Sequence, residues 1–251
     1  MKIFKFILLL VMFSLPIVAL TKTRILFIGD SITDGAWGNS GGSSKPSSER
    51  NLWDLNHIYG HGYVYLCAAY YQARYPSKDY IFYNRGISGN TLSDLEKRWT
   101  EDVIKLQPDI LSILIGTNDI NVFMKEDKED FDFEDWEKRY RQLLDATLKI
   151  NPCIKLVLCA PFVANTGKMR ESTNYQLRER LVENCATIVK KIAEDYKAIY
   201  LPFNCLFRDV IQKTPDSQKS YWIWDGIHPT AAGHKLMSDM WIKRVNRYLL
   251  K

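Results

Sequence analysis

Ser31, Asp225 and His228 are the residue types that acyl transfer needs, and each sits where a loop would present it. A serine hydroxyl attacks a carbonyl when a base takes its proton, and a histidine serves as that base when an acid fixes its tautomer. Ser31 ends the stretch "RILFIGDS", in which an apolar run meets Gly29 and Asp30. Asp225 and His228 share "WDGIHPT", residues 224–230, where Gly226 permits a tight turn between them. Thr230, after Pro229, is a good helix N-cap, which puts His228 on a loop just before a helix. The same chemistry needs donors for an oxyanion. "NRGISGNT", residues 84–91, carries Gly86 and Gly89, whose backbone can approach a ligand closely. "GTND", residues 116–119, offers Asn118. Singly, each stretch is also an ordinary turn, since Ser after Asp caps helices and Gly and Asn favour strand-to-helix turns. Together they put Ser, Gly, Asn and Asp/His at four separate loops.

The elements between these loops alternate. Apolar strands are expected at 24–28, 80–83, 109–115, 154–159 and 198–201. Helices are expected at 63–75, 92–105, 136–150, 178–196 and 230–250. Strands alternating with helices imply a parallel sheet covered on both faces, here a five-stranded, flavodoxin-like α/β/α sandwich. Ligands of such sheets sit beyond the carboxyl ends of the strands. Ser31 and the segments after the second and third strands all fall there. Residues 36–62 and 121–135 fit no regular element. The first of these is rich in Gly, Ser and Asn, yet its Trp37, Trp53 and Tyr59 argue against plain disorder.

The ordered set "GDSIT", "GISGNT", "GTND" and "DGIHPT" resembles the blocks of the SGNH (GDSL-type) hydrolases, and it covers nearly the whole chain after residue 20. The resemblance implies Ser31 as nucleophile, His228 as general base and then acid, and Asp225 as its orienting partner. It implies an oxyanion hole made by the backbone N–H groups of Ser31 and Gly89 and the Asn118 side chain. Asp30 would shape the nucleophile turn. The implied fold is the sandwich already inferred, and members of the family need no cofactor. Two features depart from the usual pattern. Ile32-Thr33 replaces the commoner Leu-Ser after the nucleophile, and the loop after the first block is long.

Bulk properties exclude several other classes. A chain of 251 residues, 46% apolar and 25% charged, can build a real core and is not composed like a disordered one. The net charge of +5 comes with no Lys/Arg block, so nucleic acid is not an expected partner. Lys2 and Lys5 precede an apolar run to Leu20, with Ala19 as a small residue near its end. This reads as a secretory signal over 1–20, followed by one domain over 21–251 in an exported, periplasmic or secreted protein; an uncleaved anchor is the alternative. No stable membrane insertion of the mature chain is expected. Cys67, Cys153, Cys159, Cys185 and Cys205 contain no C-x-x-C pair, so no disulfide framework is indicated; Cys67, Cys159 and Cys185 read as core, and one disulfide stays open.

His57 and His61 have the i, i+4 spacing of a metal pair, but "HIYGH" lacks the glutamate of H-E-x-x-H and contains a helix-disfavouring glycine. No metal site is assigned, and both histidines are placed at the substrate edge with Trp37 and Trp224. A dinucleotide site is excluded because no G-x-G-x-x-G follows the first strand. The expected substrate is a short-chain, O-acetyl ester, as a small molecule or on a glycan, with aromatics in the loop and in "YWIW" stacking on sugar. The alternative is a lysophospholipase- or thioesterase-type lipid substrate.

Overall fold

The computed structural model describes residues 22–35, 58–126 and 129–250. Its centre is a parallel sheet of β1 (Arg24–Gly29), β2 (Ile81–Gly86), β3 (Ile110–Leu114), β4 (Lys155–Cys159) and β5 (Ile199–Leu201), in the order β2-β1-β3-β4-β5. The helices are α1 (Ser31–Asp34), α2 (Tyr63–Arg74), α3 (Leu92–Trp99), α4 (Thr117–Phe123), α5 (Phe133–Ile150), α6 (Tyr175–Asp195), α7 (Phe203–Gln212) and α8 (Ala231–Leu249). This is the expected three-layer α/β/α sandwich.

Successive β1 side chains go to opposite faces, and both faces are covered, so Ile25 to Ile28 are all fully buried. Ile25 and Phe27 join the layer that includes α2, α7 and α8; Leu26 and Ile28 join the layer that includes α3, α5 and α6. Trp241 of α8 anchors the first layer. Its ring centre lies 4.9 Å from that of Phe27, and its Nε1 donates to Ser112 Oγ at 3.1 Å, satisfying a buried hydroxyl on β3. Trp241→Ala is expected to cost about 3–5 kcal/mol, read from denaturant unfolding, because a large cavity is left behind and the Ser112 hydroxyl keeps only the weak Cys159 thiol as partner. A loss under about 1 kcal/mol would mean that the layer collapses to fill the site.

Register carries the fold to the site. Gly29 of β1 pairs with Gly86 of β2 and with Leu114 of β3. The three strands therefore stop at one level, and the loops that follow them share one sheet edge.

The strand expectations match within one to three residues, and the helices differ more. α3 ends at Trp99 and continues as a wider π turn over Thr100–Ile104, not as one helix to Lys105. α5 begins at Phe133 and α6 at Tyr175, three residues earlier than expected in each case. Asp132 caps α5 by accepting from Asp135 N, so part of the segment taken as irregular is helix start. Asn121–Phe123 belong to α4. α1, α4 and α7 have no counterpart among the expected helices. α1 is one turn long and too short to show periodicity, and α7 follows β5 through Pro202 with no polar cap in the sequence. All five cysteines are unpaired, and Cys67, Cys159 and Cys185 are buried as expected. No described helix is long and apolar enough to cross a membrane. Residues 1–20 lie outside the described residues.

Candidate active site

The site starts from the way β1 ends. Gly29 has no room for a side chain, since a Cβ there would lie 2.2 Å from Leu114 O. Asp30 then leaves the strand and caps α1, its Oδ1 accepting from Ile32 N at 2.9 Å. Ser31 is thus the first residue of a helix, where its N–H has no intrahelical acceptor. Burial pushes the Asp30 carboxyl up to about 7, against the Ile32 hydrogen bond and the nearby His228 charge.

Across the edge, residues 222–230 form a closed loop. Trp224 N donates to His228 O, Thr230 N donates to Trp222 O, and Ile223 bridges Pro229. Within it, Asp225 Oδ1 accepts from the amides of Ile227 at 3.0 Å and His228 at 2.7 Å. Its Oδ2 lies 2.7 Å from His228 Nδ1. His228 Nε2 lies 2.8 Å from Ser31 Oγ. Hydroxyl, imidazole and carboxylate thus form one hydrogen-bonded chain between residues 197 positions apart at its serine end. Partial burial opposes charge on Asp225, but the His228 ring and the His228 and Ile227 amides outweigh it and hold the pKa low. The Asp225 hydrogen bond raises the His228 pKa against burial.

Gly89 has φ of 83°, and a Cβ built there would meet nothing within 4 Å, so its loop turns through a left-handed residue at an open face. Ser88 Oγ donates to Asp34 Oδ2 at 2.8 Å, which ties this loop to α1. Asn118 Nδ2 donates to Asn90 O at 3.2 Å, which ties it to α4. Leu92 N donates to Asp119 Oδ1 at 3.0 Å and reinforces that second tie. Ser31, Gly89, Asn118 and His228 line one cavity of about 620 Å³, together with Trp224 and His61.

Of the four residues placed at the substrate edge, Trp224 and His61 line this cavity. Trp224 is 55% exposed, and its ring lies nearly parallel to that of His228 with centres 6.1 Å apart. Trp37 and His57 lie outside the described residues. Tyr59 does not extend toward the cavity as a stacking ring. It packs edge-on against Phe82, and its hydroxyl accepts from Gln72. Trp222 is half-buried and donates to Thr214 Oγ1, so of the two tryptophans in "YWIW" only Trp224 fronts the site. Sequence reasoning missed His234, which also lines the cavity. His234 Nδ1 accepts from Tyr63 N at 3.2 Å, and burial brings its pKa down to about 4. That ring stays neutral across the physiological range, and its lone signal in the sequence is its place in the first turn after Thr230.

Comparison with known proteins agrees with this geometry. Residues 27–236 match the model of the GDSL-like Lipase/Acylhydrolase family. The chain is 32% identical over 228 residues to an acetylxylan esterase of Geobacillus stearothermophilus, covering 88% of this chain and 93% of that protein. It is 25% identical over 245 residues to a multidomain esterase of Ruminococcus flavefaciens, of which the match spans 29%. A crystal structure titled as a GDSL-like lipase from Parabacteroides merdae superposes with a TM-score of 0.76 at 30% identity, covering 90% of this chain and 96% of that one. The Geobacillus acetylxylan esterase superposes at 0.68 with 30% identity, covering 89% and 94%. Structures of catalytic mutants of that esterase replace a serine, an aspartate and a histidine by alanine. A strand edge that presents Ser31 to His228, and a family match that runs through both, make this chain a carboxylic ester hydrolase that belongs to the GDSL-like lipase/acylhydrolase family.

Proposed function

We propose that the protein removes short acyl groups, O-acetyl foremost, from carbohydrate or small-molecule esters through an acyl-enzyme on Ser31. Ser31 Oγ bonds to the ester carbonyl carbon while His228 Nε2 takes its proton. The negative oxygen of the tetrahedral intermediate is held by the amides of Ser31 and Gly89 and by the Asn118 side chain. The C–O bond to the alcohol breaks, and that oxygen leaves with the proton from His228. Water then attacks the acyl-Ser31 carbonyl and gives its proton to His228. Collapse returns that proton to Ser31 Oγ and releases the acid. Asp225 keeps the imidazole in the tautomer with Nε2 free to accept and offsets its charge in both steps.

The observation that carries the substrate class is the likeness to an acetylxylan esterase over nearly the full length of both proteins. The exposed Trp224 ring beside His228 supports it, since the alcohol leaves on that side and a sugar ring stacks on an exposed indole. A second cavity of about 400 Å³, lined by Tyr65 and Leu66 and sharing His61, Ala231 and His234 with the first, favours the other reading, a longer lipid acyl chain. We read the chain as an exported enzyme with one catalytic domain over 21–251, on the strength of the N-terminal signal pattern.

Matched acetyl, octanoyl and palmitoyl esters, with Ser31→Ala as control, test the reading. Activity confined to the acetyl ester and lost in the variant is expected, followed by acetate release from acetylated xylan oligomers. Preference for the long chains would overturn the carbohydrate reading. The pH profile gives a further prediction. His228 must be neutral to act as base, and its pKa is raised, so the acid limb of kcat/KM should lie above the ordinary imidazole value of about 6.5. A limb below that value would contradict the Asp225 pairing.

A further inference from the structure

An asparagine serves an oxyanion hole only if its amide points the right way. With its NH2 in the pocket Asn118 holds an oxyanion, and with its carbonyl there it repels one. The two orientations have nearly the same shape, so hydrogen bonds must choose between them. Asn118 is held at both ends: its NH2 donates to the Asn90 carbonyl at 3.2 Å, and its Oδ1 accepts from Asn121 Nδ2 at 3.3 Å, so the second contact backs the orientation that the first favours. Asn121 lies one turn further along α4 and faces the same ambiguity. Arg178, in the first turn of α6, resolves it by donating from Nη1 to Asn121 Oδ1.

A guanidinium has donors and no acceptor. Asn121 must turn its oxygen to Arg178, which leaves its NH2 for Asn118. Asn118 must then turn its oxygen back to Asn121 and its NH2 forward. Arg178 has little other employment. Among the described residues its buried Nε has no hydrogen-bond partner, and no carboxylate offsets the burial that lowers its pKa. Holding a cation partly buried without a counter-ion is costly. Here its charge lies two amides behind the site where negative charge develops.

We propose that Arg178 is a positioning residue for ester hydrolysis, which fixes the polarity of the chain Arg178–Asn121–Asn118 from behind, as the Asn90 carbonyl does from in front, so that the Asn118 NH2 faces the oxyanion. The proposal rests on the reading of Asn118 as an oxyanion donor. It is tested by Arg178→Lys, Arg178→Met and Arg178→Glu, each made in the native chain and in Asn118→Ala, with kcat and KM measured on a chromogenic acetyl ester and thermal unfolding followed in parallel. Arg178→Met should lower kcat by about 10-fold with KM nearly unchanged, the scale of losing an orienting partner behind a functional group. Glutamate only accepts, so it turns the Asn121 NH2 toward itself and sets the Asn121 oxygen against the Asn118 oxygen, and its loss should exceed that of methionine, toward the roughly 100-fold of removing an oxyanion donor. Lysine only donates and should restore most of the activity.

In the Asn118→Ala background the three variants should differ little from their parent. Equal losses with and without Asn118, or losses that follow the unfolding temperature, would overturn the proposal. Should the glutamate variant not fold, the lysine and methionine pair in both backgrounds decides. An Asn118→Ala enzyme as active as the native one would overturn the oxyanion reading and the relay together. An impaired Asn118→Ala with additive Arg178 losses would overturn the relay alone.

Discussion

Ser31→Ala, His228→Ala and the double variant should lose kcat on an acetyl ester by a similar factor, about 10⁴-fold or more, and the losses should not add. The expectation follows from the 2.8 Å contact between Ser31 Oγ and His228 Nε2. With the hydroxyl gone, the imidazole has no proton to take, and with the imidazole gone, the hydroxyl stays protonated. Residual turnover would come from the oxyanion donors and substrate binding, which both variants keep. The folded state should change little, because Ser31 and His228 are only part-buried. Single-turnover kinetics in the three variants, with thermal unfolding alongside, provide the check. Multiplying losses in the double variant would show two independent roles and contradict the shared proton transfer.

Asp225→Asn carries the second large effect, a fall in kcat of about 10⁴-fold with little loss of fold. Asp225 Oδ1 accepts from two backbone amides, and an asparagine oxygen can keep both. The NH2 of asparagine then takes the place of Oδ2, 2.7 Å from His228 Nδ1. That nitrogen must become the acceptor, so the proton moves to Nε2, the atom that faces Ser31. A ring protonated there cannot receive the serine proton. The change also removes the hydrogen bond that raises the His228 pKa, so the residual activity should persist to lower pH than in the native enzyme. A loss under about 10-fold would mean that the imidazole is oriented by other contacts.

The parts of the candidate site were legible because each part is local, whereas the meeting of Ser31 with His228 spans 197 positions. Gly29-Asp30-Ser31 ends a strand, and Asp225 and His228 are three residues apart, within the reach of one turn. The sheet was legible too, since buried parallel strands are continuous apolar runs. Less was visible in the helices. The π turn after Trp99, the start of α5 at an Asp132 cap and the appearance of α7 depend on packing and on weak caps that periodicity does not report. Tyr59 carries the same lesson, because composition marked it as a binding aromatic and its partner Phe82 makes it part of the wall.

By itself, the sequence determined the candidate residue types, the order of the loops that hold them and the alternation of apolar strands with helices that implies a parallel sheet, because each is read from neighbours within a few positions. Tertiary structure alone decided the rest. The common level of Gly29, Gly86 and Leu114 sets which loops meet, and strand register is a long-range property. The anchoring of the Gly89 loop by Asp34 and Asn118, the placing of His234 beside His228, and the orientation of Asn118 by Arg178 join α1, α4, α6 and α8 across the fold. Such contacts form between residues far apart in the chain, where spacing carries no signal and only packing fixes which donor meets which acceptor.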